Sequence, residues 1–98
     1  MYLLGIDIGG TKYHVRAVPH KGRPVDLVTP SQGNLHALGV KAMAKQLTLL
    51  VRRMQSRLGT RAYPAAVCAG ISGLDDTRTV RALSAAMQQE AWWRHVDP

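Results

Sequence analysis

The stretch Gly5-Ile6-Asp7-Ile8-Gly9-Gly10-Thr11-Lys12 decides how this chain is read. Together with Tyr2-Leu3-Leu4 before it, the run is short, apolar and ended by two glycines, the pattern of a strand buried on both faces and followed by a turn. From Lys12 to Val18 the residues alternate, with His14 and Arg16 on one side and Tyr13, Val15 and Ala17 on the other, the period of a half-buried strand. The two runs are close enough in the chain to form a hairpin.

Outward from that hairpin, Pro19-His20-Lys21-Gly22 marks a second turn, and Arg23 to Val28 reads as a third strand. Pro24 has no N–H to give to a ladder, which puts this strand at a sheet edge. Thr29 to Asn34 is rich in turn formers and reads as a surface loop. From Ala37 to Leu58 the residues Val40, Met43, Leu47, Leu50, Val51, Met54 and Leu58 recur at spacings of three and four, predicting an amphipathic helix that stops at Gly59. Arg52, Arg53 and Arg57 fall in its last turns, where cations suit the helix dipole, so they are read as a solvated face rather than a nucleic-acid patch.

Tyr63 to Ala69 is a second short apolar run and predicts a fourth buried strand, ended by Gly70-Ile71-Ser72-Gly73. Asp75 or Asp76 then caps a helix near 76–90, with Val80, Leu83 and Met87 as its stripe. Trp92 and Trp93 read either as the start of a fifth strand or as exposed indoles facing a missing partner surface. The order predicts an α/β half-domain: a three-strand antiparallel meander, a parallel fourth strand and flanking helices, with the chain cut short before or at its fifth strand.

Composition bounds the function. Ninety-eight residues make one small domain, and 46% hydrophobic against 19% charged residues excludes a disordered chain. There is no signal-peptide pattern and no apolar stretch of membrane-spanning length, so no membrane partner is expected. The net charge of +7 suits a polyanionic ligand such as ATP, or a basic half balanced by an acidic half elsewhere. Cys68, alone in the apolar run Ala65 to Ala69, reads as a small buried thiol in a reducing, cytoplasmic protein. His14, His20, His36 and His95 are scattered without pairing, so no zinc site is expected.

The chemistry is concentrated in the opening motif. Gly9 and Gly10 let backbone N–H groups approach a phosphate, Thr11 adds a hydroxyl donor and Lys12 a positive charge. Asp7 repels a triphosphate directly but holds a hydrated Mg²⁺ that bridges to it. The alternative is a tight Gly-Gly hairpin with Asp7 in a surface role.

The string Gly5 to Lys12 resembles the first phosphate motif of the hexokinase/actin/Hsp70 superfamily. Its Gly-Gly-Thr-Lys form is typical of the branch of N-acetylglucosamine kinase and the BadF/BadG/BcrA/BcrD ATPases, and of the ROK sugar kinases. Ser31 to Gly39 resembles the first branch's loop before its long helix, and Ala69-Gly70-Ile71-Ser72-Gly73 resembles the segment after its fourth strand. The resemblance implies a ribonuclease H-like (actin-like ATPase) fold, with ATP and Mg²⁺ as cofactors. It implies Gly9, Gly10, Thr11 and Lys12 at the nucleotide, Asp7 at the metal, and Asn34, Gly70 and Gly73 at an amino-sugar or similar small-molecule acceptor. It also implies that Asp97, near the end of the family's fifth strand, is the catalytic base, although Trp92 to Val96 departs from the usual apolar strand.

The chain spans about a third of a typical family member, so the second phosphate motif, the adenosine motif and the closing domain are expected from a C-terminal domain or from a homo-oligomer. Half of a two-domain cleft does not enclose ATP, and negligible turnover is expected of the isolated chain. A non-catalytic piece of the fold is compatible with this reading. The alternative of a RuvC-like nuclease shares the fold but needs several convergent carboxylates, and Gly70 stands where one is required. Nucleic acid is therefore not the expected partner.

Overall fold

The computed structural model describes residues 1–96. Four strands, β1 (Tyr2–Ile8), β2 (Lys12–Pro19), β3 (Val25–Pro30) and β4 (Ala66–Ile71), form one mixed sheet in the order β3-β2-β1-β4. β1 pairs antiparallel with β2 and parallel with β4, while β2 and β3 are antiparallel. The expected meander and parallel fourth strand are both present. Helices α1 (Leu35–Leu38), α2 (Val40–Leu58) and α3 (Thr77–Met87) follow, with a 3₁₀ turn at Ala91–His95. No helix among the described residues is long and apolar enough to cross a membrane.

One face of the sheet carries the core. Tyr2, Leu4, Ile6 and Ile8 of β1 and Tyr13, Val15 and Ala17 of β2 are buried against Met43, Leu47, Leu50, Val51 and Met54 of α2 and Leu83 and Met87 of α3. The stripe legible in α2 is thus the stripe that packs. Gly59 closes α2 in the left-handed conformation at φ 67°, and Thr60 N–H donates to the Gln55 carbonyl at 3.0 Å, satisfying an end carbonyl. At α3, Asp76 is the cap: its Oδ1 accepts from Thr79 N–H at 2.7 Å, and this bond holds the carboxyl below its ordinary range.

Several expectations are corrected. β1 is not buried on both faces: Leu3 is 51% exposed and Asp7 is exposed, because all three helices lie on one side. Cys68 is exposed rather than buried, and β4 is a half-open edge rather than an interior strand, since only β1 pairs with it among the described residues. The long helix is broken at Gly39, whose φ of 81° separates α1 from α2. The third strand begins at Val25 and runs through Pro30, so the loop starts at Ser31.

The tryptophans neither start a strand nor stand exposed as a pair. Trp92 is 4% exposed in the 3₁₀ turn, and its Nε1 donates to Thr48 Oγ1 at 2.7 Å. The same hydroxyl donates to Glu90 Oε1 at 2.6 Å, and Lys45 Nζ donates to Glu90 Oε2 at 2.7 Å. Glu90 is itself buried, so this network is what makes its burial tolerable and ties the end of the described chain to α2. The Lys45 and Thr48 bonds hold its carboxyl below the ordinary glutamate range.

Candidate functional site at the carboxyl ends of β1 and β4

Three connections meet where β1 and β4 end, the edge at which open α/β sheets receive ligands. The first is the hairpin of the opening motif. Ile8 pairs with Tyr13 and Gly9 N–H donates to the Lys12 carbonyl at 3.0 Å, which leaves Gly10 and Thr11 at the tip. The second is the loop after β3: Ser31 N–H donates to the Thr11 carbonyl at 3.1 Å, Ser31 Oγ–H donates to the Gly9 carbonyl at 3.1 Å, and the Tyr13 hydroxyl donates to the Gly33 carbonyl. The third follows β4, where Ser72 N–H donates to the Ile8 carbonyl at 2.9 Å and the Ser72 carbonyl accepts from Leu35 N–H at 3.1 Å. The Gly9-Gly10 hairpin is therefore clamped from two sides.

The two glycines of the motif differ in what they require. A Cβ on Gly9 stands 3.0 Å from the Lys12 carbonyl oxygen that closes the hairpin, whereas a Cβ on Gly10 meets nothing within 4 Å. Neither has a positive φ. Gly9 thus serves the turn, and the space above Gly10 is open.

Asp7 is exposed on the helix-free face of β1. Its cross-strand partners there are His14 on β2 and Gly70 on β4. An open depression of about 420 Å³ surrounds it, lined by Gly5, Asp7, His14, Arg16, Cys68 and Gly70. A carboxylate in an open depression beside a glycine turn fits the way Mg²⁺ is held, through one or two carboxylates with waters and phosphate oxygens supplying the rest. No group of three or more His, Cys, Asp and Glu side chains gathers around a metal position among the described residues. A larger apolar groove of about 490 Å³ lies between α2 and α3, on the opposite side of the sheet from this chemistry.

Thr11 and Lys12 are exposed at and beside the hairpin tip. Gly70 lies directly across from Asp7 with open space around its Cα. Gly73 serves the local backbone, because its φ is 95° and a Cβ would stand 3.0 Å from the His36 ring and 3.2 Å from Leu35 Cβ. Asn34 caps α1, its Oδ1 accepting from Ala37 N–H at 2.9 Å, which leaves its amide N–H₂ as the polar group to offer a ligand. Asp97 lies outside the described residues.

Reading the sequence singled out neither His14 nor Asp26 for the site. His14 Nε2 lies 2.7 Å from Asp26 Oδ1, and the Arg16 guanidinium grips both Asp26 oxygens at 2.8 and 3.2 Å. Arg16 first and His14 second pull the Asp26 carboxyl down to about 2. The alternation of β2 already places His14 and Arg16 on one side, but only the β2–β3 register, which pairs Arg16 with Asp26, brings the carboxylate to them. No known protein-family model matches this chain, and no curated protein matches it significantly.

Proposed function

We propose that this chain carries the phosphate- and metal-binding part of an ATP-dependent sugar kinase or ATPase with a ribonuclease H-like (actin-like) fold, of the N-acetylglucosamine kinase/BadF kind. The observation that carries this reading is the exposed Asp7 at the end of a central strand flanked by antiparallel β2 and parallel β4, next to a clamped Gly-Gly-Thr-Lys hairpin whose tip is open. The Gly10-Thr11 tip and Lys12 would receive phosphate oxygens, and Asp7 would hold a hydrated Mg²⁺. When bound, the metal offsets the charge of the phosphates. The acceptor, an amino sugar or similar molecule, lies toward Asn34 and Gly70, and a further domain or subunit completes the cleft in the cytoplasm. Gly70 opposite Asp7 speaks against the nuclease alternative, which needs a carboxylate there.

Thermal melts of the 98-residue chain with and without Mg-ATP test this. At Mg-ATP a few-fold above its Kd the parent gains about 1 kcal/mol of stability. Asp7→Asn and Gly10→Val melt like the parent without ligand but lose that gain, the first through the metal and the second by crowding the phosphate. No sustained ATP hydrolysis accompanies the binding. If the parent gains nothing, or if both variants keep the gain, the motif is a structural hairpin and the proposal fails.

A further inference from the structure

Asp7 and His14 are directly opposite each other on antiparallel strands and share the helix-free face of the sheet. Their Cβ atoms are therefore about 5 Å apart, a separation at which a carboxylate and an imidazole can reach one ion. Space for that ion exists because two of the positions beside Asp7 are glycines. Gly70 is its partner on β4, and Gly5 is its same-face neighbour on β1.

The imidazole is also held. Asp26 engages His14 Nε2 at 2.7 Å, and a neutral imidazole that donates Nε2–H to this carboxylate carries its lone pair on Nδ1. A carboxylate on one ring nitrogen with a metal on the other is the arrangement that fixes ligating histidines. Arg16, two residues along β2, has its guanidinium committed to Asp26 and does not stand free to repel a metal.

We propose that Asp7 and His14 form a two-residue divalent-cation site that favours Mn²⁺ over Mg²⁺, with Asp26 as the residue that positions the imidazole. The inference rests on the reading of Asp7 as the metal residue and adds a nitrogen ligand to it. That ligand changes the selectivity: Mg²⁺ is a hard ion that prefers oxygen and keeps its waters, whereas imidazole suits first-row transition ions. Waters and phosphate oxygens complete the shell, because no third protein ligand gathers there among the described residues.

The test uses the ¹⁵N/¹³C-labelled full chain, with diamagnetic Zn²⁺ as the spectroscopic probe and Mn²⁺ and Mg²⁺ for the affinities. In the parent, Zn²⁺ shifts the His14 Nδ1 resonance together with the Asp7 carboxylate carbon, and leaves the ring nitrogens of His20, His36 and His95 in place. His14→Gln weakens Mn²⁺ binding about tenfold or more and Mg²⁺ binding less than about threefold, and Asp26→Asn weakens Mn²⁺ binding by about tenfold, the effect typical of an outer partner. A shift at Asp7 without one at His14 Nδ1, or equal weakening of both metals in His14→Gln, overturns the nitrogen ligand while the Asp7 reading stands. A shift at neither residue overturns both. The parent spectrum decides the matter even where a variant does not fold.

Discussion

Ile6 and Asp7 are neighbours in the chain and live on opposite faces of the same strand. Ile6 is 4% exposed beneath α2 and α3, with Leu4, Ile8 and Val15 around it, while Asp7 faces an open depression with glycines beside it. The inner face is filled by branched and aromatic side chains and the outer face keeps Gly5, Asp7, His14, Arg16, Cys68 and Gly70 within reach of solvent. Stability and the proposed chemistry are thus separated by a single residue step. In a strand that step turns the side chain to the other face.

The greatest loss follows from damage to the inner face. Ile6→Ala removes buried atoms from a packed site and lowers the unfolding free energy by about 2–5 kcal/mol, whereas Leu3→Ala, on the half-exposed side of the same strand, costs less than about 1 kcal/mol. Urea denaturation of both variants measures the contrast. Equal losses would mean that the outer face is covered in solution.

A smaller effect lies at the end of the described chain. Glu90→Gln replaces a carboxylate that accepts from Lys45 and Thr48 and costs about 1–2 kcal/mol at neutral pH. Because the native carboxyl titrates below its ordinary range, its stabilisation is complete above the unfolded-state value and is lost as the pH falls through the lower native value. Denaturation of parent and variant from pH 7 downward therefore shows the gap between them closing in acid. A gap that stays constant would show that the charge on Glu90 contributes nothing.

Smaller still is the contrast between the two glycines of the motif. Gly9→Ala presses a Cβ on the hairpin-closing Lys12 carbonyl and costs about 1 kcal/mol, while Gly10→Ala, with open space around it, stays within about 0.5 kcal/mol. Melting both variants without ligand checks this. A reversal of the order would place the structural demand at the tip and not at its base.

The elements and the motif were legible in the sequence. The shift from the β1 run to the alternation of β2, the three-and-four spacing of α2 and the stop at Gly59 are local properties, each readable because a strand repeats every two residues and a helix every 3.6. The Asp7-to-Lys12 string was readable because it is contiguous. Which faces are covered is instead a matter of tertiary packing. An apolar run such as Tyr2 to Ile8 does not say whether helices lie on one side or both, so the exposure of Leu3, Asp7 and Cys68 follows only from the placement of α2 and α3. Asp26 reaches His14 and Arg16 through strand register, and Trp92 and Glu90 reach Thr48 across more than forty residues of chain. Such pairings depend on which segments meet once the core has closed, and no local spacing records that.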